Sequence, residues 1–166
     1  LEQTGKVRHF GVSNQNPMMM ELLKTAVKQP LKVNQLQLSA AFTPSFEAGF
    51  HVNMEGPKAA VRDGSVFEYC RLTDTVIQAW SVLQHGYFKG NFVGKEEFAA
   101  LNHVLTDLAK KYQVTPTAIA LAWVLRYPGK MQAVIGTTKP QHVLEAEKAA
   151  TVTLTRKEWY QIYPTI

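Results

Sequence analysis

The sequence predicts an α/β fold with four parallel strands and flanking helices, and three observations carry that reading. Short apolar runs recur at residues 7–12, 31–38, 76–79 and 133–135, and helical segments lie between most of them. Proline, glycine and hydroxyl residues punctuate the borders. The runs also carry polar or aromatic clusters: Ser13-Asn14, Gln35, Trp80-Ser81 and Gly136-Thr137-Thr138-Lys139. Strand–helix alternation makes a parallel sheet, in which ligands sit at the carboxyl ends of the strands. The four clusters are therefore expected to be pieces of one site.

The elements follow in order. Gly5 marks a helix end, and residues 6–12 read as the first strand, with His9 a satisfied core histidine within it. Asn16-Pro17 is an N-cap with proline at the first helical position, opening a helix to about Lys28. Met18, Met19 and Met20 are expected to pack a face of it. Pro30 stops this helix before a second strand at residues 32–38, completing a βαβ unit. Residues 39–64 lack periodicity, and a loop of that length is usually functional. Ser65 with Glu68 reads as a capping box for a short helix to Leu72, with Cys70 a small buried hydrophobe. Residues 75–80 form the third strand, and a glycine-bearing loop covers residues 84–94.

Phe98, Leu101, Leu105, Leu108, Ala109 and Tyr112 then recur at three- and four-residue steps, an amphipathic helix facing a core. Thr115-Pro116 caps another helix, to Tyr127, and Pro128-Gly129 ends it. Residues 131–135 form the fourth strand, Pro140 opens a helix, and Thr155 with Glu158 caps the last one.

Composition narrows the function classes. The chain has 166 residues, 46% hydrophobic and 19% charged, ordinary for one globular domain. Its net charge of +5 comes from scattered Lys and Arg without an aromatic-rich basic stripe. That argues against nucleic acid and for attraction of a small anion. No apolar stretch approaches the roughly 20 residues that span a bilayer, so no membrane partner is expected. A single cysteine excludes an internal disulfide framework and fits a reducing, cytoplasmic setting. The five histidines show no metal-ligand spacing, and neither G-x-G-x-x-G nor G-x-x-x-x-G-K-[ST] occurs.

The strand ends still hold useful chemistry. Ser13, Asn14 and Gln35 supply hydroxyl and amide groups suited to a planar carboxamide, although Ser-Asn after a strand is also ordinary turn chemistry. Trp80 offers a flat face for ring stacking or for the core. Gly136-Thr137-Thr138-Lys139-Pro140 brings hydroxyls, a lysine and a helix N-terminus together, which is anion-site chemistry with phosphate as the natural guest.

The runs Gly5-Lys6-Val7-Arg8-His9-Phe10-Gly11-Val12-Ser13-Asn14, Val33-Asn34-Gln35, Ala79-Trp80-Ser81-Val82-Leu83 and Val134-Ile135-Gly136-Thr137-Thr138-Lys139-Pro140 resemble the aldo-keto reductase family in order and spacing. The helix Ala120-Leu121-Ala122-Trp123-Val124-Leu125-Arg126 matches as well. The likeness covers nearly all of the chain but only about the second half of a family member. It implies the C-terminal half of a (β/α)8 TIM barrel, strands five to eight, with residues 1–166 a partial domain.

By the resemblance, Ser13, Asn14 and Gln35 hold the nicotinamide carboxamide of NADP(H), and Trp80 stacks on the ring. Ser81, Val82, Leu83 and Gly86 line the pyrophosphate. Gly136 leads into Thr137, Thr138 and Lys139, which meet the ribose 2′-phosphate. His142 stands where relatives commonly use Arg, Glu145 matches, and Ala146 replaces a frequent Asn. The reaction implied is hydride transfer between nicotinamide and an aldehyde or ketone.

The family's catalytic Asp, Tyr, Lys and His belong to the first half, and no motif here matches them. The resemblance therefore implies no catalytic residue and an inactive separate chain; the alternative is a non-catalytic nucleotide-binding or interaction module. Four strands cut from a barrel leave two unpaired edges and an apolar inner face. Self-association or pairing with an N-terminal half-barrel is expected in consequence.

Overall fold

The computed structural model describes residues 1–46, 65–86 and 89–163. The expected loop at residues 39–64 is thus described only over residues 39–46, and its residues 47–64, like Tyr87 and Phe88, lie outside the described residues. The described strands are β1 (Phe10–Ser13), β2 (Leu31–Gln37), β3 (Val76–Trp80) and β4 (Met131–Ala133). The helices are α1 (Pro17–Ala26), α2 (Val66–Leu72), α3 (Ala99–Tyr112), α4 (Pro116–Leu125), α5 (Pro140–Glu147) and α6 (Arg156–Ile162). Short 3-10 turns at Glu96–Phe98 and Lys148–Thr151 precede α3 and follow α5. The strands form one sheet in the order β1-β2-β3-β4, every neighbouring pair parallel. The α/β class with flanking helices is as expected.

Local chemistry explains most of the boundaries. Asn16 caps α1 by accepting from the Met19 N–H, and Thr115 caps α4 by accepting from the Ala118 N–H, each with proline following. Helix α4 has no polar face, and Ala118 through Val124 are all buried. An all-apolar helix belongs inside. It packs Ile119, Trp123 and Val124 into a core shared with Leu36, Ile77 and Ala79 from the sheet and Leu101, Leu105 and Leu108 from α3.

Several expectations are corrected. The first strand begins at Phe10 rather than Lys6, leaving His9 exposed and outside it. The register slips between Phe10 and Gly11, and pairing with β2 starts there. Ser65 adopts a left-handed backbone (φ 73°) and makes no side-chain cap, because capping needs an extended residue that aims its hydroxyl at the first turn. Only Met20 of the three methionines is buried; Met18 and Met19 are 72% and 46% exposed.

The inner face of the sheet is also more polar than expected. One register row carries Ser13, Gln35, Gln78 and Gln132, beside the apolar row of Gly11, Val33 and Val76. At Gly11 the strands approach closely, and a Cβ would sit 2.7 Å from Val33 Cβ and 2.8 Å from its carbonyl oxygen. Gly11→Ala is accordingly expected to destabilise the chain by about 1–3 kcal/mol through overpacking against backbone, read as a lower urea midpoint at unchanged slope.

Candidate functional site

The carboxyl ends of β3 and β4 open onto a cleft of about 520 Å3. It is lined by Trp80, Ser81, Val82 and Leu83 after β3, by Gly136 and Thr137 after β4, and by His142, Glu145 and Ala146 of α5. Gln84, Asn91, Thr117, Leu121, Val134 and Ile135 complete the wall. Most of the expected β3, β4 and α5 site residues therefore face one space. Thr138 and Lys139 are exposed beside it and Gly86 is buried near it, but none of these three lines it.

Two strand ends turn sharply. Asn14 and Ser81 both hold left-handed backbone, with φ of 53° and 52°. Asparagine tolerates that region; serine there stores strain. Asn14 does not cap its own backbone. Its N–H donates to the Gln35 carbonyl at 2.9 Å, and its Oδ1 accepts from the Trp80 indole Nε1 at 3.4 Å. The ends of β1 and β3 thus meet over β2. Ser13 Oγ also donates to the Gln35 carbonyl, at 3.2 Å. Ser13, Asn14 and Gln35 do not line the cleft itself; they continue its rim beyond Trp80.

Buried Asn34, on the helix side of β2, went unrecognised in the sequence. Its Nδ2 donates to the Gln15 carbonyl at 2.8 Å and its Oδ1 accepts from the Gln15 N–H at 3.4 Å, fixing the turn that presents Asn14. Gln84 and Asn91 were missed too. They face each other across an antiparallel bridge that closes the loop after β3. Neither lies in a periodic run, so only the pairing reveals them.

The fourth strand end leads into α5. Lys139 is the N-cap of α5 and Pro140 its first residue. Thr137 Oγ1 accepts from the Lys139 N–H at 3.2 Å and lies 3.3 Å from His142 Nδ1. The start of α5, the Lys139 side chain and two threonine hydroxyls share this corner, with the Lys139 N–H taken by Thr137 and the His142 and Val143 N–H groups by the Lys139 carbonyl. Cys70 takes no part: it is fully buried, and burial pushes its thiol up to about 11.

The fold is an α/β arrangement of four parallel strands with flanking helices, with a cleft at the carboxyl ends of β3 and β4. The comparisons give the family. Residues 1–164 match the aldo/keto reductase family, and the chain belongs to it. The family's members are oxidoreductases that use nicotinamide cofactors. A 6-dehydroglucose reductase of Agrobacterium fabrum is 32% identical over 164 residues, covering 98% of this chain and 48% of that one. Oxidoreductase YdhF of Escherichia coli is 30% identical over 163 residues, with the same coverage of 98% and 48%. Among solved structures, the thermostable aldo-keto reductase Tm1743 superposes with a TM-score of 0.69 at 21% identity, over 98% of this chain and 50% of that one. The chain spans about half the length of the curated relatives it matches.

Proposed function

We propose that this chain is the cofactor-holding C-terminal half of an NADP(H)-dependent aldo-keto reductase, one that passes hydride between nicotinamide and an aldehyde or ketone. One juxtaposition supports the reading: Trp80 lines the same cleft as Thr137 and His142 while its indole reaches Asn14. A single extended dinucleotide could touch all of them.

The residues fit such a guest. The Oε1 of Gln84 is buried in the cleft wall without a hydrogen-bond partner among the described residues, a cost that a ligand donor would relieve. Bound NADPH would supply the hydride. Trp80 would stack against the nicotinamide, and Ser13, Asn14 and Gln35 would satisfy its carboxamide. Ser81, Val82, Leu83 and Gly86 would follow the pyrophosphate. Thr137, Thr138 and Lys139 would meet the 2′-phosphate, with His142 and Glu145 alongside.

Proton delivery to the substrate is a separate task. The titratable residues lining the cleft are His142 and Glu145, both on α5. The chain positions a cofactor and leaves proton transfer to a partner, an N-terminal half-barrel completing the eight strands.

Titration of the chain with NADPH should quench tryptophan fluorescence, while an added aldehyde is not turned over. Trp80→Leu should remove most of that quench and weaken binding roughly tenfold, the worth of one stacked aromatic pair. Aldehyde turnover by the chain alone would overturn the division of labour. Silence up to millimolar NADPH would instead favour a non-catalytic module that binds no dinucleotide.

A further inference from the structure

A second pocket, of about 330 Å3, shares no lining residue with the cleft. Three arginines line it: Arg71 from the last turn of α2, Arg126 at the end of α4 and Arg156 from the first turn of α6. Helix α2 runs into β3 and α4 into β4, so Arg71 and Arg126 stand towards the amino ends of those strands, whereas the cleft lies at their carboxyl ends. Glu68 is the acidic residue in the lining. Among the described residues no ion pair joins it to any of the three guanidinium groups, and its buried Oε2 has no hydrogen-bond partner.

Neutral groups hold the arginines instead. Arg126 Nε donates to the Leu154 carbonyl at 2.8 Å, and the Arg156 guanidinium lies 5.8 Å from the Tyr160 ring centroid. The stem of Arg71 lies against Gly129, where a Cβ would stand 3.4 Å from Arg71 Cγ. Groups held this way keep N–H donors for a guest. Helix dipoles account for Arg71 and Arg126, since a cation is favourable at a helix C-terminus. They do not account for Arg156, which stands at the positive end of α6.

We propose that this pocket binds a small organic phosphate monoester. The excess of three guanidinium groups over one carboxylate matches a head that is close to doubly charged at neutral pH. Guanidinium forks meet phosphate oxygens in pairs. An apolar body on the ester would lie against Tyr127, Trp159 and Tyr160, which line the same space. The assignment is independent of the cofactor reading, because the two pockets share no residue.

The test is titration of the full chain with phenyl phosphate, followed by the indole N–H resonances in proton NMR. Trp159 lines this pocket and Trp80 lines the cleft, so the Trp159 resonance should move to saturation while that of Trp80 stays in place. Benzoate keeps the ring with a single charge and should bind roughly tenfold more weakly, the effect of one charge-assisted hydrogen bond. Neutral benzyl alcohol should leave both resonances unmoved. Arg71→Gln and Arg156→Gln should each weaken phenyl phosphate about tenfold. Both side chains are exposed, so both variants should keep the wild-type urea midpoint. A response at Trp80 without one at Trp159, unchanged affinity in the two variants, or no response up to millimolar phenyl phosphate would overturn the site. Benzoate or benzyl alcohol binding as tightly as phenyl phosphate would overturn the choice of a phosphate monoester.

Discussion

Trp123→Ala is expected to lower the unfolding free energy by about 3–5 kcal/mol, the range for deleting a large buried aromatic side chain. Trp123 on α4 is 1% exposed and stacks on Trp159 of α6, ring centroids 4.9 Å apart and planes within 9°. The two indoles also exchange hydrogen bonds. Trp123 Nε1 donates to the Trp159 carbonyl and Trp159 Nε1 to the Trp123 carbonyl, both at 3.1 Å. The second bond fills a real vacancy. At the end of α4, Arg126 donates to Ala122 and Tyr127 to Val124, which leaves the Trp123 carbonyl for the indole. Phe46 packs against both rings, at 6.0 and 6.2 Å. Truncation thus opens a cavity and removes one of the two indole bonds that pin α6 to α4. Trp123→Phe retains most of the buried area and loses one hydrogen bond, so it should cost about 1 kcal/mol for that bond plus a smaller packing loss. Urea denaturation of the two variants checks the order; equal costs would assign the clasp to the indole hydrogen bond rather than to packing.

Much of this architecture was legible because local signals and tertiary demands agree. Asn16-Pro17 and Thr115-Pro116 announce helices that form, and the Thr155–Glu158 spacing announces a capping box that is present. The same spacing at Ser65 and Glu68 fails, since the left-handed Ser65 turns its hydroxyl away. A motif specifies residue types; the backbone leading into it decides whether they meet. The site divides the same way. Trp80, Thr137 and His142 could be picked out because each ends a strand or opens a helix, and they do face one cleft. The Gln35–Gln78–Gln132 row could not be picked out, because it exists only once three strands share a register. Asn34 was hidden for a related reason: its partner, Gln15, lies across a parallel pairing.

Glu158→Gln should destabilise the chain by about 2 kcal/mol at neutral pH, the worth of hydrogen bonds to a charged group, and should also change how stability depends on acid. The Glu158 carboxylate is 6% exposed and ties α6 to α3. Its Oε1 is 2.5 Å from Lys111 Nζ; its Oε2 accepts from Tyr112 OH at 2.8 Å, the Thr155 N–H at 2.8 Å and Thr155 Oγ1 at 2.7 Å. Burial, the strongest single influence, would raise its pKa. The bonds from Lys111, Thr155 and Tyr112 together outweigh burial and hold the carboxyl at about 2, against 4.5 ordinarily. A group depressed on folding gives stability that is complete above its unfolded pKa and fades as pH falls through the folded value. The contribution of Glu158 is therefore intact above about pH 4.5 and is lost towards about pH 2. Glutamine keeps an acceptor but neither charge nor titration. Urea midpoints of wild type and Glu158→Gln should lie well apart at pH 7 and converge between pH 4.5 and 2, and curves that stay parallel through that window would show that the Lys111–Glu158 tie contributes no charge-dependent stability.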